Sequence, residues 1–309
     1  MGKKALLFPG QGAQKVGMGK DLHDRFPEAR AVYEKANEAL EFDLAGLCFE
    51  GPADELDDTA NCQAAVLVTS LAALAALKAR DGAAAEADLT AGLSLGEYTA
   101  LVYAGAMRPE DAVRLVRERG LFMKEASEQT RGAMVSIIGL DREGAMEVVA
   151  ACQDRGVLVA ANFNSLRQVV LSGEVDAVEC AERVAKEKGA RRAVRLPVSG
   201  AFHSPLMGSA ADRLRAELER TPIREPAVPV VSNVSAKPVG TSEEIRDLLA
   251  LQLTSPVLWV GSMQYMIGQG MTEAVEVGPG RVLSGLLART DRSVATRNVQ
   301  SAADLDNEP

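Results

Sequence analysis

The chain has 309 residues, of which 47% are hydrophobic and 25% are charged, a balance typical of a globular protein of one or two domains. Its formal net charge of -9 argues against nucleic acid and against an anionic membrane surface as general partners. The apolar run before Pro9 is too short for a signal peptide, and the longest apolar run, Ala64–Leu77, is shorter than the roughly 18 residues of a membrane span. We therefore expect a cytoplasmic protein without a membrane segment.

The four cysteines predict neither a metal site nor a disulfide. They show no C-x-x-C spacing, and no histidine stands near them at the spacing of metal ligands. Free buried thiols in a reducing compartment are the expected state. The four are Cys48, Cys62, Cys152 and Cys180.

The first predicted element is a buried strand, Lys4–Phe8, which runs directly into the loop P-G-Q-G-A-Q at 9–14. A glycine-bracketed loop at the end of a first strand is where α/β proteins direct backbone amides at a ligand. A plain turn is the alternative, and the G-x-G-x-x-G of a dinucleotide loop is absent. Gln11, between two glycines, would point its N–H into a cleft, and a helix pattern follows from Leu22 to Leu40.

The next informative stretch is G-L-S-L-G at 92–96, between an apolar run, Leu89–Ala91, and a helix-like run at 97–104. Strand, sharp turn and helix form the context of a nucleophile elbow. The glycines allow a tight turn that exposes the Oγ of Ser94, while the following N–H groups point at the helix start. A Gly/Ser loop that ends a strand is the alternative, and the motif alone does not decide between them.

A helix predicted from Pro109 carries an apolar face with three arginines interspersed. Proline early in the helix and acids at Glu110 and Asp111 are typical of a first turn. Arginine is mostly exposed in proteins, so a solvated face is the default interpretation of each one. The three are Arg114, Arg117 and Arg119.

The middle of the chain has elements in the order βαββαβ, which is typical of ferredoxin-like domains. We predict an α/β fold in which a large α/β-hydrolase-like domain, residues 1–130 and 200–300, contains an inserted ferredoxin-like βαββαβ subdomain at residues 131–199. The cleft between the two parts is the expected place of a functional site.

The C-terminal third continues in α/β units. G-A-F-H-S-P at 200–205 opens a helix, a strand is predicted at 228–234, and helices are predicted at 242–253 and 257–267. A strand, a G-P-G turn and a helix follow. The last residues, 301–309, are predicted to be a flexible tail because they are polar.

Histidine occurs twice, at His23 and His203, so the choice of a base for Ser94 is narrow. His23 lies in the polar start of a helix, whereas His203 lies where the inserted subdomain rejoins its parent, which favours His203 as the base. A structural histidine is the alternative. In α/β-hydrolases an acid between Ser and His orients the imidazole, but here that interval is mostly the inserted subdomain. A backbone carbonyl would serve as well, since the ring needs only an acceptor at its second nitrogen.

Seven motifs in one order resemble the malonyl-CoA:acyl carrier protein transacylases of type II fatty acid synthesis, and are similar to acyltransferase domains of polyketide synthases. The resemblance covers Lys4–Arg289. The motifs are F-P-G-Q-G-A-Q at 8–14, G-L-S-L-G-E-Y at 92–98, L-V-R-E-R-G at 115–120, N-F-N-S at 162–165, A-F-H-S at 201–204, Q-L-x-x-P-V at 252–257 and E-V-G-P-G at 276–280.

The resemblance implies that Ser94 is the acylated nucleophile and that His203 is its base. It further implies that the backbone carbonyl of Gln252 orients His203, which would explain why no triad acid is needed. A ping-pong acyl transfer through a malonyl-serine ester is the implied reaction.

The resemblance also assigns the groups around the nucleophile. The backbone N–H groups of Gln11 and Leu95 would form the oxyanion hole, and Arg119 would bind the malonyl carboxylate. Gln63 and Asn162 match polar positions that line the cleft. The resemblance therefore favours a buried role for Arg119 over the solvated face.

The implied substrate is malonyl-CoA, and the implied acceptor is the phosphopantetheine thiol of acyl carrier protein, with no cofactor, no metal and a monomeric enzyme. Phe202 before His203 resembles the malonyl-selective rather than the methylmalonyl-selective version. Leu93 departs from the histidine that is common there in the family. A serine hydrolase and a non-enzymatic module that binds acyl carriers are the alternative functions.

A cluster of basic residues on the inserted subdomain could receive an acidic carrier protein. An ordinary solvated helix and edge strand is the alternative, since charge runs are usually that. The cluster consists of Lys186, Lys188, Arg191, Arg192 and Arg195.

Overall fold

The computed structural model describes residues 2–198 and 200–306, whose strands form two separate sheets. In chain order the strands are β1 (Lys3–Phe8), β2 (Leu89–Gly92), β3 (Gly132–Ile138), β4 (Leu158–Ser165), β5 (Gln168–Glu174), β6 (Arg192–Arg195), β7 (Val230–Val231), β8 (Met271–Val277) and β9 (Ala295–Val299).

Helices cover the large sheet and back the small one. In chain order they are α1 (Lys20–Arg25), α2 (Pro27–Leu40), α3 (Leu44–Glu50), α4 (Ala53–Asp57), α5 (Thr59–Arg80), α6 (Gly96–Tyr103), α7 (Pro109–Gln129), α8 (Arg142–Ala151), α9 (Val175–Glu187), α10 (Gly208–Arg220), α11 (Ser242–Gln252), α12 (Trp259–Gly268), α13 (Val282–Thr290) and α14 (Ala302–Asp306).

The large sheet is parallel, with the strand order β7-β2-β1-β8-β9. Its central strands β1 and β2 are apolar because a parallel sheet is covered by helices on both faces. In their register, Phe8 lies opposite Gly92. The loop after β1 and the turn after β2 therefore leave the sheet side by side at its carboxyl edge, where α/β proteins bind ligands.

The long apolar helix α5 lies in the core of the large domain. It is long and apolar enough to cross a membrane by composition, with a mean hydropathy of 1.7, but 89% of its most apolar window is buried inside the protein. It packs against α2 and α7. The apolar side chains of α5 are therefore part of the protein core.

The small sheet is antiparallel, with the order β4-β5-β3-β6, and it has its own hydrophobic core beneath α8 and α9. The predicted βαββαβ order is confirmed. Strand β4 joins the rest of the protein through hydrogen bonds between Val257 and the backbone of Ala161 and Phe163, at 2.8 and 2.9 Å. This junction holds Asn162 at the cleft between the sheets.

Two predicted elements have different bounds in the structure. The single helix expected over Leu22–Leu40 is broken at Phe26, which is extended, with φ of -116°. The reason is Pro27, which disfavours a helical conformation in the residue before it. The strand expected at 228–234 pairs with β2 only over Val230–Val231, and the chain then turns to bring Asn233 toward Ser94.

The prediction that all four cysteines are free is wrong for one pair. Cys152, at the end of α8, forms a disulfide with Cys180 on α9, with the Cα atoms 5.9 Å apart. The two helices pack together, which sequence spacing does not reveal. Cys48 and Cys62 are free and buried, and burial raises the pKa of each thiol to about 12.

The prediction of a flexible tail from residue 301 is wrong for residues 302–306. They form α14, in which Leu305 is buried and Asp306 forms an ion pair with Arg25 at 2.5 Å. The carboxylate of Asp304 accepts hydrogen bonds from the backbone and hydroxyl of Ser301, which starts the helix. Residues 307–309 lie outside the described residues.

Candidate active site

The turn after β2 has the backbone of a nucleophile elbow. Ser94 adopts a left-handed conformation, with φ of 50°, between β2 and the start of α6. A Cβ on Gly92 would collide with the backbone of Gly96, and a Cβ on Gly96 would collide with the carbonyl of Phe8. Both glycines of the motif are thus required by close backbone approach, and a plain loop does not explain them.

The strained turn is clamped by Asn233, on the loop after β7. Its side-chain oxygen accepts a hydrogen bond from the backbone N–H of Ser94 at 2.6 Å, and its amide nitrogen donates to the carbonyl of Gly92 at 2.7 Å. Asn233 is fully buried. Such support is what allows a residue to keep a sparsely populated conformation.

His203 contacts Ser94 directly. Its Nε2 lies 2.9 Å from Ser94 Oγ, and its Nδ1 lies 2.8 Å from the backbone carbonyl oxygen of Gln252. Because a carbonyl only accepts, Nδ1 carries the proton and Nε2 is free to accept from the hydroxyl. Burial and then the nearby Arg119 cation lower the pKa of His203 to about 4, so the ring is neutral at neutral pH.

His23 lies elsewhere. It contacts Asp24 at 3.0 Å and packs against the rings of Tyr33 and Phe49. Among the described residues, no aspartate or glutamate is hydrogen-bonded to His203. The structure therefore brings one of the two histidines to Ser94 and holds it by a carbonyl.

Arg119 on α7 is 1% exposed and lies behind the nucleophile. One nitrogen, Nη1, donates to Gln63 Oε1 at 2.6 Å, and Nη2 lies 3.0 Å from both Ser94 Oγ and Gln252 Oε1. Its guanidinium also stacks over the ring of Tyr98 at 5.5 Å. Burial lowers the pKa of Arg119, and within residues 2–198 and 200–306 no carboxylate forms an ion pair with it.

The other two arginines of α7 differ from Arg119. Arg114 is half-exposed and forms an ion pair with Asp111 at 3.0 Å. Arg117 lies over the ring of Phe42 at 4.4 Å. A solvated face is thus the correct interpretation for Arg114 and is wrong for Arg119.

Two backbone N–H groups beside Ser94 are free to donate a hydrogen bond to a ligand. Leu95 follows the serine at the start of α6, and Gln11 lies in the neighbouring loop after β1. In the part of the chain that the structure describes, neither N–H has a hydrogen-bond acceptor. The side chain of Gln11 lies 3.5 Å from that of Gln63.

Ser94 opens into a cleft of about 290 Å³ between the two sheets. Gln11 and His203 line it from the large domain, and Asn162 and Ser136 line it from the small sheet. Leu93 and Phe202 also line the cleft and make the surroundings of the nucleophile apolar. Of the eight residues that the resemblance assigns to the site, four line this cleft, Gln11, Ser94, Asn162 and His203, and the other four lie behind it, Gln63, Leu95, Arg119 and Gln252.

The sequence and the architecture of the chain match those of known proteins. Residues 5–305 match the family model of the acyl transferase domain. The chain belongs to this family. A malonyl CoA-acyl carrier protein transacylase of Bacillus subtilis is 46% identical over 307 residues, which cover 99% of this chain and 96% of the relative.

Solved structures of the acyl transferase family superpose closely. A malonyl-CoA:acyl carrier protein transacylase of Xanthomonas oryzae has a TM-score of 0.95 and 40% identity, covering 99% of this chain and 97% of its own. The matching chain in a complex of a type II PKS acyl-carrier protein with its malonyl-transacylase has a TM-score of 0.93 and 40% identity, with 98% of both chains covered.

Two further polar residues, Asn233 and Glu97, are buried beside Ser94 in this family member. The sequence predicts a strand at Asn233 and a helix at Glu97 and indicates no further role for either residue. The signal for Glu97 was a carboxylate one turn after the serine in an otherwise apolar helix, since acids are almost never fully buried without a partner. Asn233 had no comparable signal, because it is brought to Ser94 from 139 residues away.

Proposed function

We propose that the protein transfers the malonyl group of malonyl-CoA to the phosphopantetheine thiol of acyl carrier protein through a malonyl ester on Ser94. The observation that carries the proposal is the position of Ser94 Oγ, 2.9 Å from His203 Nε2 and 3.0 Å from Arg119 Nη2. A nucleophile between a neutral base and a buried cation suits a substrate with an anionic acyl group. The names of the relatives support the same activity.

In the first half-reaction, His203 Nε2 takes the proton of Ser94 Oγ as the oxygen attacks the thioester carbonyl. The resulting oxyanion accepts hydrogen bonds from the N–H groups of Leu95 and Gln11. The carbon–sulfur bond then breaks, and the CoA sulfur leaves with the proton from His203. Ser94 retains the malonyl group as an ester.

The second half-reaction reverses these steps with a different thiol. His203 takes the proton of the phosphopantetheine thiol, the sulfur attacks the ester carbonyl, and Ser94 Oγ leaves with the proton. The carbonyl of Gln252 holds the imidazole in the same tautomer throughout.

Arg119 supplies selectivity in this proposal. A guanidinium binds a carboxylate through two parallel hydrogen bonds, and in the free protein its acceptors are neutral: Gln63, Ser94 and Gln252. The malonyl carboxylate would give the cation an ionic partner. An acetyl group would leave it without one.

Mixing the protein with malonyl-CoA should add one malonyl group to the intact protein, on Ser94, by mass spectrometry. Ser94→Ala should gain none, because among the described residues no other hydroxyl is hydrogen-bonded to the base. Ser70→Ala is the matched control, since this buried serine donates to the Val66 carbonyl within α5, and it should be acylated as the unmodified protein is.

The same measurement separates the alternatives. Addition of carrier protein should move the malonyl group to its phosphopantetheine arm. Loss of the ester to water at the same rate without any thiol would indicate a hydrolase. No covalent mass gain at all would contradict the proposed function.

The acyl carrier protein is the proposed acceptor, supported by the solved complex of a related transacylase with its carrier. Of the five basic residues considered for docking, two are already paired: Lys188 with Glu147 at 2.6 Å and Arg195 with Glu182 at 2.8 Å. The remaining residues of this cluster are exposed. They are Lys186, Arg191 and Arg192.

A second cavity supports docking near Arg191. It has a volume of about 570 Å³ and shares Gln168 with the catalytic cleft. Three further arginines line it, Arg167, Arg289 and Arg292, and within residues 2–198 and 200–306 no acidic residue does. A surface of this charge next to the cleft suits an acidic partner.

Reversing the charge at Arg191 and Arg192 to glutamate should raise the KM for carrier protein by on the order of tenfold and flatten its salt dependence. The KM for malonyl-CoA should not change. The matched control reverses Arg30 and Lys35 on α2, which gives the same net charge on another face. Equal effects of the two double variants would reject the docking surface.

We also propose that the protein works in the cytoplasm as a monomer, without a cofactor or metal, and that it binds neither nucleic acid nor membrane. The net charge of -9 argues against nucleic acid and an anionic membrane as partners, and the burial of α5 argues against a membrane span.

A further inference from the structure

Glu97, which the mechanism above does not use, is a carboxylate buried beneath the catalytic residues. It lies in the first turn of α6 and is 2% exposed. Its Oε2 accepts hydrogen bonds from the side-chain Nε2 of Gln252 at 2.7 Å and from the backbone N–H of Asn233 at 3.1 Å. Glu97 does not line the cleft, so it contacts no substrate.

Gln252 connects this carboxylate to the catalytic residues. Its Nε2 donates to Glu97 and, at 3.2 Å, to the backbone carbonyl of Ser94, while its Oε1 accepts from Arg119. Its own backbone carbonyl accepts from His203. The carboxylate of Glu97 requires a donor and the guanidinium of Arg119 requires an acceptor. Only the orientation of the Gln252 amide with Nε2 toward Glu97 and Oε1 toward Arg119 satisfies both.

Among the described side chains around His203, positive charge is not balanced by an adjacent negative charge. His203 has a neutral carbonyl as its partner, and it must become a cation beside the buried cation of Arg119 when it takes a proton. In a site of low polarity this repulsion raises the barrier. The negative charge of ionised Glu97, which lies behind Gln252, offsets this repulsion.

We propose that Glu97 is a positioning residue that acts through Gln252, supplying the negative charge that a triad acid gives directly and fixing the amide between Arg119 and His203. The carboxylate stabilises the protonated His203 of the transition state at a distance and keeps the Gln252 amide in its one productive orientation. This inference rests on the proposed acylation of Ser94.

The charge of Glu97 changes within an accessible pH range. Burial raises the pKa of Glu97 to about 7, against the opposing hydrogen bonds from Asn233, Gln252 and Ser232 and the attraction of Arg119. Arg119 is the cation that faces it from α7, and Tyr98 follows it on α6. Because the group is neutral at low pH and ionised at high pH, the acylation rate should rise with pH through about 7.

The test compares the unmodified protein with Glu97→Gln, whose amide oxygen still accepts both hydrogen bonds but carries no charge. The rate of Ser94 acylation is measured by rapid quench and mass spectrometry. The acyl donor is the malonyl thioester of N-acetylcysteamine, which has no phosphate to titrate near neutral pH. The pKa of His203, about 4, lies below this range.

At about pH 8.5 the variant should be slower by about tenfold, and at about pH 6, where only about a tenth of Glu97 is ionised, by less than about twofold. Its rate should be flat between these values. The melting temperature of the variant at high pH should not fall. The pKa of Glu97 is higher in the folded than in the unfolded protein, so raising the pH above the unfolded-state pKa lowers the stability of the unmodified protein, and glutamine removes this loss.

Asp111→Asn on α7 is the matched control. The pKa of Asp111 is lowered by its bonds to Arg108 and Arg114, so it stays ionised over the whole range, and its variant should give a rate ratio that does not change with pH. A pH-independent loss in Glu97→Gln would reduce Glu97 to a structural role and overturn the inference.

The unmodified protein alone provides a second test. Acylation of Ser94 without any rise in rate between about pH 6 and 8 would overturn the role of Glu97 and leave the proposed function intact. No acylation of Ser94 at any pH would contradict the proposed function itself. The two failures are therefore distinguishable.

Discussion

Replacing His203 with alanine should slow acylation of Ser94 by malonyl-CoA by about 10³-fold or more. The imidazole is the group within hydrogen-bond distance of Ser94 Oγ that is able to take its proton; the Arg119 nitrogen on the other side only donates. Without the base, a neutral hydroxyl would have to attack the thioester. Rapid quench followed by mass spectrometry of the intact protein measures the rate.

The matched control is His23→Ala, which removes the other histidine. His23 packs on Tyr33 and Phe49, so its loss should cost some stability and leave the acylation rate within about twofold. A His203→Ala protein that is folded and acylated at the normal rate would show that another group takes the proton.

The partner of His203 explains why no acid motif was found in the sequence. The acceptor is the backbone carbonyl of Gln252, at the end of α11, which every residue type would offer. No pattern of side chains reports such a contact. The residues alone allow a backbone carbonyl as one possible acceptor, and only the resemblance to the family indicates Gln252.

The elbow was easier to predict because its causes are local. Strand, glycine, serine, glycine and helix follow one another within a few residues, and the two glycines are required by contacts within that unit and with β1. The order of the elements in the small sheet was predictable for the same reason, since each strand and helix has its own pattern.

The burial of Arg119 was not predictable from its own helix, where it alternates with Arg114 and Arg117. The cause lies in Gly120, beside it: a Cβ there would collide with the backbone of Ala60 at the start of α5. The close approach of α7 to α5 carries Arg119 into the interior. Contacts between distant segments also explain the disulfide and the packed residues of α14, neither of which the sequence indicated.

Replacing Arg119 with alanine should lower kcat/KM for malonyl-CoA by about 10²-fold to more than 10³-fold, because the malonyl carboxylate would lose a desolvated ionic partner that contributes roughly 3 to 5 kcal/mol. The protein should remain folded, since the change removes a buried cation that has no carboxylate partner among the described residues. Transfer from malonyl-CoA and from acetyl-CoA is measured under the same conditions.

Transfer from acetyl-CoA should fall much less, or rise, for two reasons. An acetyl group makes no ionic contact that alanine could remove. In addition, the Arg119 cation is one cause of the lowered pKa of His203, so its removal makes His203 a stronger base. The ratio of acetyl to malonyl transfer should therefore increase, which a general loss of activity would not produce.

Arg117→Ala is the control on the same helix. Its guanidinium lies over Phe42 and bonds to Asn61 at 3.0 Å, away from Ser94, so both transfers should stay near normal. Arg119→Lys refines the test, because lysine keeps the charge without the planar fork and should recover only part of the malonyl preference. Equal loss of both transfers in Arg119→Ala would mean that Arg119 acts on Ser94 Oγ, 3.0 Å away, and not on the acyl carboxylate.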